Sequence, residues 1–509
     1  MQAPLERGKA CQRCKRRKMR CDGHRPSCSQ CVAHSDECEY LDGFGPTQNQ
    51  LLEEQIAHLQ SRIADITAAA APLTLHDPYA AWHQRNAQRT ANDPKRTLVR
   101  EFALHANEFG FFLHIHRFLD KVYAQSTPSH SLTILLNVIY LLGAKFSNNP
   151  QVHSQEQAYL ALALQHLPKA LPEDPRGAIY VMQAEVLLAN YFFNGHRQLE
   201  GVYHTNAAVS IAMASKLHMI RSSRRSRSSA EANAYRLPPP ADTLEEGERI
   251  NGFWTVFILD RCWAVATGLA PAITDDDALG TQIDTPWPMD LAMYHSHPFP
   301  GDYRTSHTVK VFTSGTDAGA ASPGYSVLAM HAKAVILYEM LRDSRPATSP
   351  AAFLSLDNRI ERFREALPRL DLSRSDTIRT VLLAHTLAQC ASIQLHTPFV
   401  QDRVTANSRT YHAAHAAVEN MKRINASLLC VNPFMGILWG SVAKVISQAI
   451  STGHRLRASG THASARDIPT DEQTLKDEYV RVLATMEQVT TYSPLMGAQL
   501  ATLRSPRHG

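Results

Sequence analysis

No H-E-x-x-H pair, no G-x-S-x-G elbow and no phosphate-cradling glycine loop occurs in the 509 residues. The usual sequence grounds for a zinc hydrolase, a serine hydrolase or a nucleotide-using enzyme are therefore missing. Long apolar runs are missing too. The most apolar stretch, Leu132 to Ala144, is interrupted by Asn137 and falls short of the about 20 residues that span a bilayer. No secretory leader is evident, which weakens any disulfide reading of clustered cysteines. No acidic–hydrophobic activation segment stands out. Of nine cysteines only Cys262, Cys390 and Cys430 lie outside the first 40 residues; scattered in apolar stretches, they are expected to be buried core thiols. Finally, no Lys or Arg lies between Cys28 and Cys38.

What is present is concentrated at the N-terminus. Cys11, Cys14, Cys21, Cys28, Cys31 and Cys38 form C-x2-C-x6-C twice over. Zinc takes four tetrahedral ligands, and thiolates are its usual structural donors. Two zinc ions need eight ligand positions from six cysteines, so two thiolates must bridge. The repeat points to the first cysteine of each half. One site would use Cys11, Cys14, Cys21 and Cys28, the other Cys28, Cys31, Cys38 and Cys11. Three disulfides, or one zinc on four thiolates, remain as alternatives. A segment this short cannot bury enough apolar surface to fold alone, so a metal would have to supply the folding free energy.

Charge is equally uneven. Residues 1–40 carry nine Lys/Arg and five Asp/Glu, a net of +4, against +5 for the whole chain. Arg13, Lys15, Arg16, Arg17, Lys18 and Arg20 all fall between Cys11 and Cys21, whereas Cys28 to Cys38 encloses only Asp36 and Glu37. The first half is expected to face a polyanion and the second to be scaffold. A nuclear-import signal is compatible with the same run, and a merely solvated face is its bland alternative.

The pattern C-x2-C-K-R-R-K-M-R-C-D-G-x-x-P-x-C-x-x-C-x6-C-E-Y resembles the fungal zinc binuclear cluster (Zn2Cys6) transcription factors. The resemblance implies bridging thiolates, and a short helix after the first C-x2-C that reads a CGG triplet in the major groove. It maps the main base-contacting lysine onto Lys18, with Arg17 as helper. Arg13, Lys15, Arg16 and Arg20 are assigned to phosphates, which position without specifying. Pro26 matches the family's proline between the halves. Further on, Gln183-Ala184-Glu185, Glu200 to His204, Glu248 to Trp254, Leu259-Asp260-Arg261, Ala272 to Asp277 and Ile283 to Pro286 resemble the fungal-specific transcription factor regulatory domain, which implies an all-α fold.

After a polar stretch, Leu52, Ile56, Leu59, Ile63 and Ile66 recur at spacings of 4, 3, 4 and 3. Ile56 and Ile63 take position a, the others position d, a pattern that favours a parallel dimer; packing on the downstream domain is the alternative. The expected organisation is mainly all-α: 1–41 zinc module, 42–67 linker and coiled coil, 68–95 flexible linker, 96–455 helical regulatory domain, 456–509 polar linker and C-terminal helix. Within it Val181 to Phe193 and Gly201 to Leu217 read as helices, and the stripe Ile250, Phe253, Trp254, Phe257, Ile258, Cys262, Val265 as core. Asp260 and Arg261 suggest an internal ion pair. Residues 221–243, with Arg224-Arg225-Ser226-Arg227-Ser228, read as an exposed and phosphorylatable loop, 290–325 as loop, 326–455 as further helices and 471–490 as one helix. Asp275-Asp276-Asp277, His114 with His116, and His412 with His415 lack the extra ligands a metal site needs.

The expected function is a zinc-dependent, sequence-specific transcription factor of RNA polymerase II genes, not an enzyme. It would act in the nucleus, away from membranes, with two zinc ions per chain. Its partners would be double-stranded DNA with paired CGG-type triplets and a second copy of itself, with a metabolite or co-regulator at the helical domain. A protein-binding zinc adaptor is the competing class; six basic residues in one half argue against it.

Overall fold

A computed structural model describes residues 9–40, 48–69, 94–124, 128–224, 237–315, 326–343, 350–371, 377–399, 404–424, 430–458 and 472–505. It divides into two units at Leu75–His76. The first holds two short helices, α1 (Gln12–Arg16) and α2 (Ser29–Ala33), and a longer one, α3 (Gln48–Ala69). Of the linker expected at 68–95, residues 70–93 lie outside the described residues.

The second unit is helical. Its main elements are α4 (Pro94–Ala103), α5 (His130–Phe146), α6 (Ala178–Asn194), α7 (Gln198–Ala214), α8 (Thr243–Thr267), α9 (Val327–Asp343), α10 (Pro350–Ala366), α11 (Ile378–His396), α12 (Val404–Met421), α13 (Met435–Ala458), α14 (Glu472–Val489) and α15 (Pro494–Arg504). Among the described residues there is no strand, only an isolated bridge between Ser222 and Thr305. No described helix is long and apolar enough to cross a membrane.

The apolar stretch around Leu132 becomes α5. Ser129 caps it by accepting the Leu132 N–H at 3.4 Å, and it is buried on nearly every face, as an all-round apolar helix must be. Gly143 permits α4 to lie against it: a Cβ there would fall 2.1 Å from the Leu98 carbonyl oxygen. α6 and α7 form a hairpin. A Cβ at Gly201 would meet the Phe193 ring at 2.4 Å, and Phe193 stacks on Trp263 of α8. α8 begins at Asp242, which accepts the Glu245 N–H at 2.7 Å, and stops at Gly268 in the left-handed region, φ 76°, the usual helix terminator. The expected stripe on α8 is buried from Ile250 to Cys262, with Val265 half-buried at its end.

Three sequence expectations are corrected. Asp260 and Arg261 do not pair with one another. Asp260 accepts the N–H groups of Ala272 and Ile273, each at 2.9 Å; Arg261 pairs with Glu339 of α9 and donates to the Ile273 carbonyl at 2.7 Å. Within the expected loop 290–325, short helices form at Leu291–Ser296 and Thr308–Ser314. The first is pinned by buried Tyr294, whose hydroxyl donates to Asn251 at 3.1 Å. Finally, the helix expected at 471–490 forms as Glu472–Val489, and a second, Pro494–Arg504, follows it in the segment expected to hold one. Ser493 caps the second, and both pack on α13, placing Leu475, Val482, Met486, Val489, Leu495 and Met496 in the core. The segment 456–509 thus adds two core-forming helices, though 459–471 lies outside the described residues.

The acidic run builds a turn. Asp275 accepts the Ile283 N–H at 2.9 Å, Asp276 the Ala278 N–H at 2.7 Å, and Asp277 meets His307 and Lys310 at 3.1 and 2.8 Å. The serine–arginine stretch 225–236 lies outside the described residues.

Candidate metal centre and nucleic-acid interface

Each half of the N-terminal module begins with a cysteine at a helix N-cap. The Cys11 sulfur accepts the Cys14 N–H, and the Cys28 sulfur accepts the Cys31 N–H, both at 3.4 Å. A helix N-terminus favours negative charge, so the two caps suit thiolates. Burial pushes Cys28 up, but the Cys31 N–H and the neighbouring sulfurs bring it below the usual thiol range. Cys14 is held above that range by burial and by its contacts with Cys11 and Cys28. Cys31 is pushed up to about 12 by burial first, then by the same kind of contacts.

The six sulfurs fall into two overlapping groups of four, Cys11–Cys14–Cys21–Cys28 and Cys11–Cys28–Cys31–Cys38, each with its sulfurs within 4.8 Å of one another. Cys11 and Cys28 belong to both. Sulfur separations are 3.8 Å for Cys11–Cys28, 3.7 Å for Cys11–Cys31 and 3.7 Å for Cys14–Cys28. A tetrahedron with Zn–S bonds of about 2.3 Å has edges of about 3.8 Å. A disulfide would bring sulfurs to about 2.05 Å. The donor set thus fits two tetrahedral thiophilic ions sharing an edge, and every cysteine in the module is free.

The two halves share more than sulfur. In α1, Met19 N–H reaches the Cys14 carbonyl and Lys18 N–H reaches that of Lys15; in α2, Asp36 N–H reaches Cys31 and Ser35 N–H reaches Val32. Both helices therefore end in the same Schellman-type turn, with Lys18 at φ 54° and Ser35 at φ 50°. The resemblance placed a helix after the first C-x2-C. In the structure α1 instead starts inside that pair and ends at Arg16, so Lys18 stands beyond it. The cause is the capping by Cys11, which starts the helix early.

Lys15, Arg16, Arg17, Lys18 and Arg20 are exposed, and among the described residues none of these side chains has an ion-pair partner. Arg13 differs. It is half-buried and pairs with Asp36 of the second half. Three further residues order the connection between halves; Asp22 and Tyr40 stand in the motif that carries the resemblance, which gave them no role. Asp22 accepts the Ser29 N–H at 3.2 Å, and Ser29 holds its carboxyl below the usual range. Tyr40 donates its hydroxyl to the His24 carbonyl at 3.0 Å, and the Arg25 guanidinium lies over its ring. The Arg25–Pro26 peptide is cis.

Comparison with known families decides what this module is. Residues 9–45 match the fungal Zn(2)-Cys(6) binuclear cluster domain, and residues 100–307 match the fungal specific transcription factor domain. The chain carries both domains. The match to the zinc-cluster domain implies zinc binding at the six cysteines, and the matched families are those of transcription factors. Transcription factor FBD3 of Fusarium pseudograminearum is 41% identical over 59 residues, covering 12% of this chain and 8% of that protein. Transcriptional activator protein acu-15 of Neurospora crassa is 31% identical over 97 residues, 18% of this chain and 10% of that protein. Regulatory protein CAT8 of Saccharomyces cerevisiae is 37% identical over 67 residues, 12% and 5% respectively. The chain thus spans a tenth or less of each relative's own length. No solved structure matches it significantly.

Within the fungal transcription factor domain, two patches that carried the sequence resemblance meet. Buried Glu185 of α6 lies 2.6 Å from the imidazole of His204 on α7, which stacks on Phe192. Gln183 accepts the Phe112 N–H at 2.7 Å. These contacts hold helices together.

Outside the zinc cluster, α3 presents Leu52, Ile56 and Leu59 to solvent, 49%, 53% and 56% exposed. These three apolar residues stand half in water at the heptad spacing read from the sequence. The side chains of Ile63 and Ile66 lie outside the described residues.

Proposed function

We propose that this chain is a nuclear, zinc-dependent, sequence-specific DNA-binding transcription factor that reads paired CGG-type triplets as a homodimer. Two zinc ions per chain would be held by Cys11, Cys14, Cys21, Cys28, Cys31 and Cys38, with Cys11 and Cys28 shared. The bound metal supplies no reaction chemistry; it fixes the fold of a module too small to hold itself. The observation that carries the reading is the coincidence of two sulfur tetrahedra with five exposed, unpaired basic side chains on one half only.

Lys18, with Arg17 beside it, is assigned to guanine O6 and N7 in the major groove, the acceptors a basic side chain can distinguish. Lys15, Arg16 and Arg20 are assigned to phosphates. Leu52, Ile56, Leu59, Ile63 and Ile66 form the dimer seam. The helical domain regulates output, with a metabolite or co-regulator as its partner. Selection of binding sites from random duplexes tests this directly. Enrichment of paired CGG triplets, dependent on zinc, is expected; no enrichment by the zinc-loaded chain rejects DNA reading and favours a protein-binding adaptor.

A further inference from the structure

We propose that Arg13 is a clasp between the two halves of the metal module, and not a DNA contact. This rests on the zinc and DNA reading above, and it removes from the DNA face one of the six basic residues that composition alone assigned there. Arg13 sits between the two cysteines of the first C-x2-C pair, on α1. Asp36 occupies the position just after the left-handed Ser35 that ends α2. Their charged groups meet across the module.

Two further observations support the assignment. The Arg13 side chain is only 18% exposed and that of Asp36 30%, whereas Lys15 to Arg20 are all open to water. The same seam is closed by backbone, where the Gln12 N–H donates to the Glu39 carbonyl at 2.9 Å. The pair is also not a by-product of the repeat. Seventeen residues on from Arg13 stands Gln30, and seventeen residues before Asp36 stands Met19, so the mirror position holds no charge at all. A guanidinium already engaged by a carboxylate has little net charge to offer a phosphate. It can, however, hold the two halves in register around the shared sulfurs Cys11 and Cys28.

The test uses the full chain and two readouts. The first is the rate at which a strong chelator strips zinc, followed with a metal-sensitive dye. Arg13→Gln and Asp36→Asn each speed stripping by roughly threefold or more, the scale of a half-buried ion pair. The charge swap Arg13→Asp with Asp36→Arg returns it towards the parent rate. The second readout is the salt dependence of binding to a selected duplex. Arg13→Gln leaves the slope unchanged, whereas Lys15→Gln lowers its magnitude by about 0.9, one phosphate contact. A slope lowered by Arg13→Gln, stripping unaffected by either single change, or a swap that fails to recover, each overturns the clasp. If Arg13→Gln does not load zinc, recovery in the swap decides the matter. If the parent chain binds no duplex, the DNA reading fails by itself, and the stripping rates still judge the clasp.

Discussion

Lys18 and Ser35 hold the same left-handed backbone position, seventeen residues apart, at φ 54° and 50°. Glycine is the ordinary occupant of that position, and another residue costs about 1–2 kcal/mol. Ser35→Gly should therefore raise the stability of the zinc-loaded module by roughly 1 kcal/mol and leave DNA binding alone. Lys18→Gly should relax the backbone likewise but lose about 1–3 kcal/mol of specific binding. Chelator titration and anisotropy on matched and random duplexes separate the two; equal loss of DNA affinity from both changes contradicts the assignment of Lys18.

Zinc removal should unfold residues 9–40 and abolish duplex binding while leaving α5, α6 and α8 protected. The first unit's core is little more than its own cysteines with Ala10 and Tyr40 packed against them, whereas the second has a continuous apolar core. Hydrogen exchange with and without chelator reads this directly. Undiminished binding after complete zinc removal would take the metal out of the account.

Ile56→Asp should convert a dimer to a monomer. Its side chain is half exposed on α3 between equally exposed Leu52 and Leu59, and a charge at a central a position disrupts a seam of about two heptads. Sedimentation over a concentration series measures it. A parent chain monomeric throughout rejects the seam.

Asp260→Ala should destabilise the second unit by about 1–3 kcal/mol. It orphans the buried N–H of Ile273, whereas that of Ala272, an exposed residue, can turn to water. A lower urea midpoint with an unchanged slope is the expected signature. A shift below about 0.5 kcal/mol would place solvent at the Ile273 N–H as well.

Below neutral pH, His331 should contribute a stability loss of its own. It is fully enclosed, and burial alone depresses its pKa from 6.5 to about 4. The folded form therefore holds it neutral while the unfolded chain takes up a proton first. Its contribution is complete above pH 6.5 and falls as pH drops towards 4, by up to about 3 kcal/mol in total. His331→Leu should flatten the stability–pH curve in that window; parallel curves for parent and variant refute it.

Several features of this molecule were readable because their causes are local. Ligand arithmetic calls for two shared thiolates and the repeat points to Cys11 and Cys28; in the structure those two sulfurs fall in both groups of four. The helices around Leu132, Val181 and Ile250 follow from unbroken apolar periodicity. What was misread depends on distant partners. Asp260 and Arg261 are adjacent, but their mates lie at 272–273 and 339, beyond any spacing rule. In sequence Arg13 reads like its basic neighbours, because nothing in its own half reveals the ion pair with Asp36 across the module. The start of α1 was misjudged because cysteine is not a usual capping residue; here its sulfur accepts the Cys14 N–H. The helices at 291–296 and 308–314 are short segments held by burial of single side chains such as Tyr294, which leaves no periodic trace.

The seventeen-residue register of the metal module also bears on how such a protein diversifies. Val32, Ala33, His34 and Ser35 stand on the backbone positions of Lys15, Arg16, Arg17 and Lys18, with the same turn beneath them. One half is inscribed and the other is blank. Val32, Ala33 and His34 are exposed and none of them is a cysteine or the left-handed residue of the turn that ends α2, so their side chains are open to rewriting at little cost to the metal. A lineage, or a designer, has there a second copy of the same stage on which to write a different recognition surface.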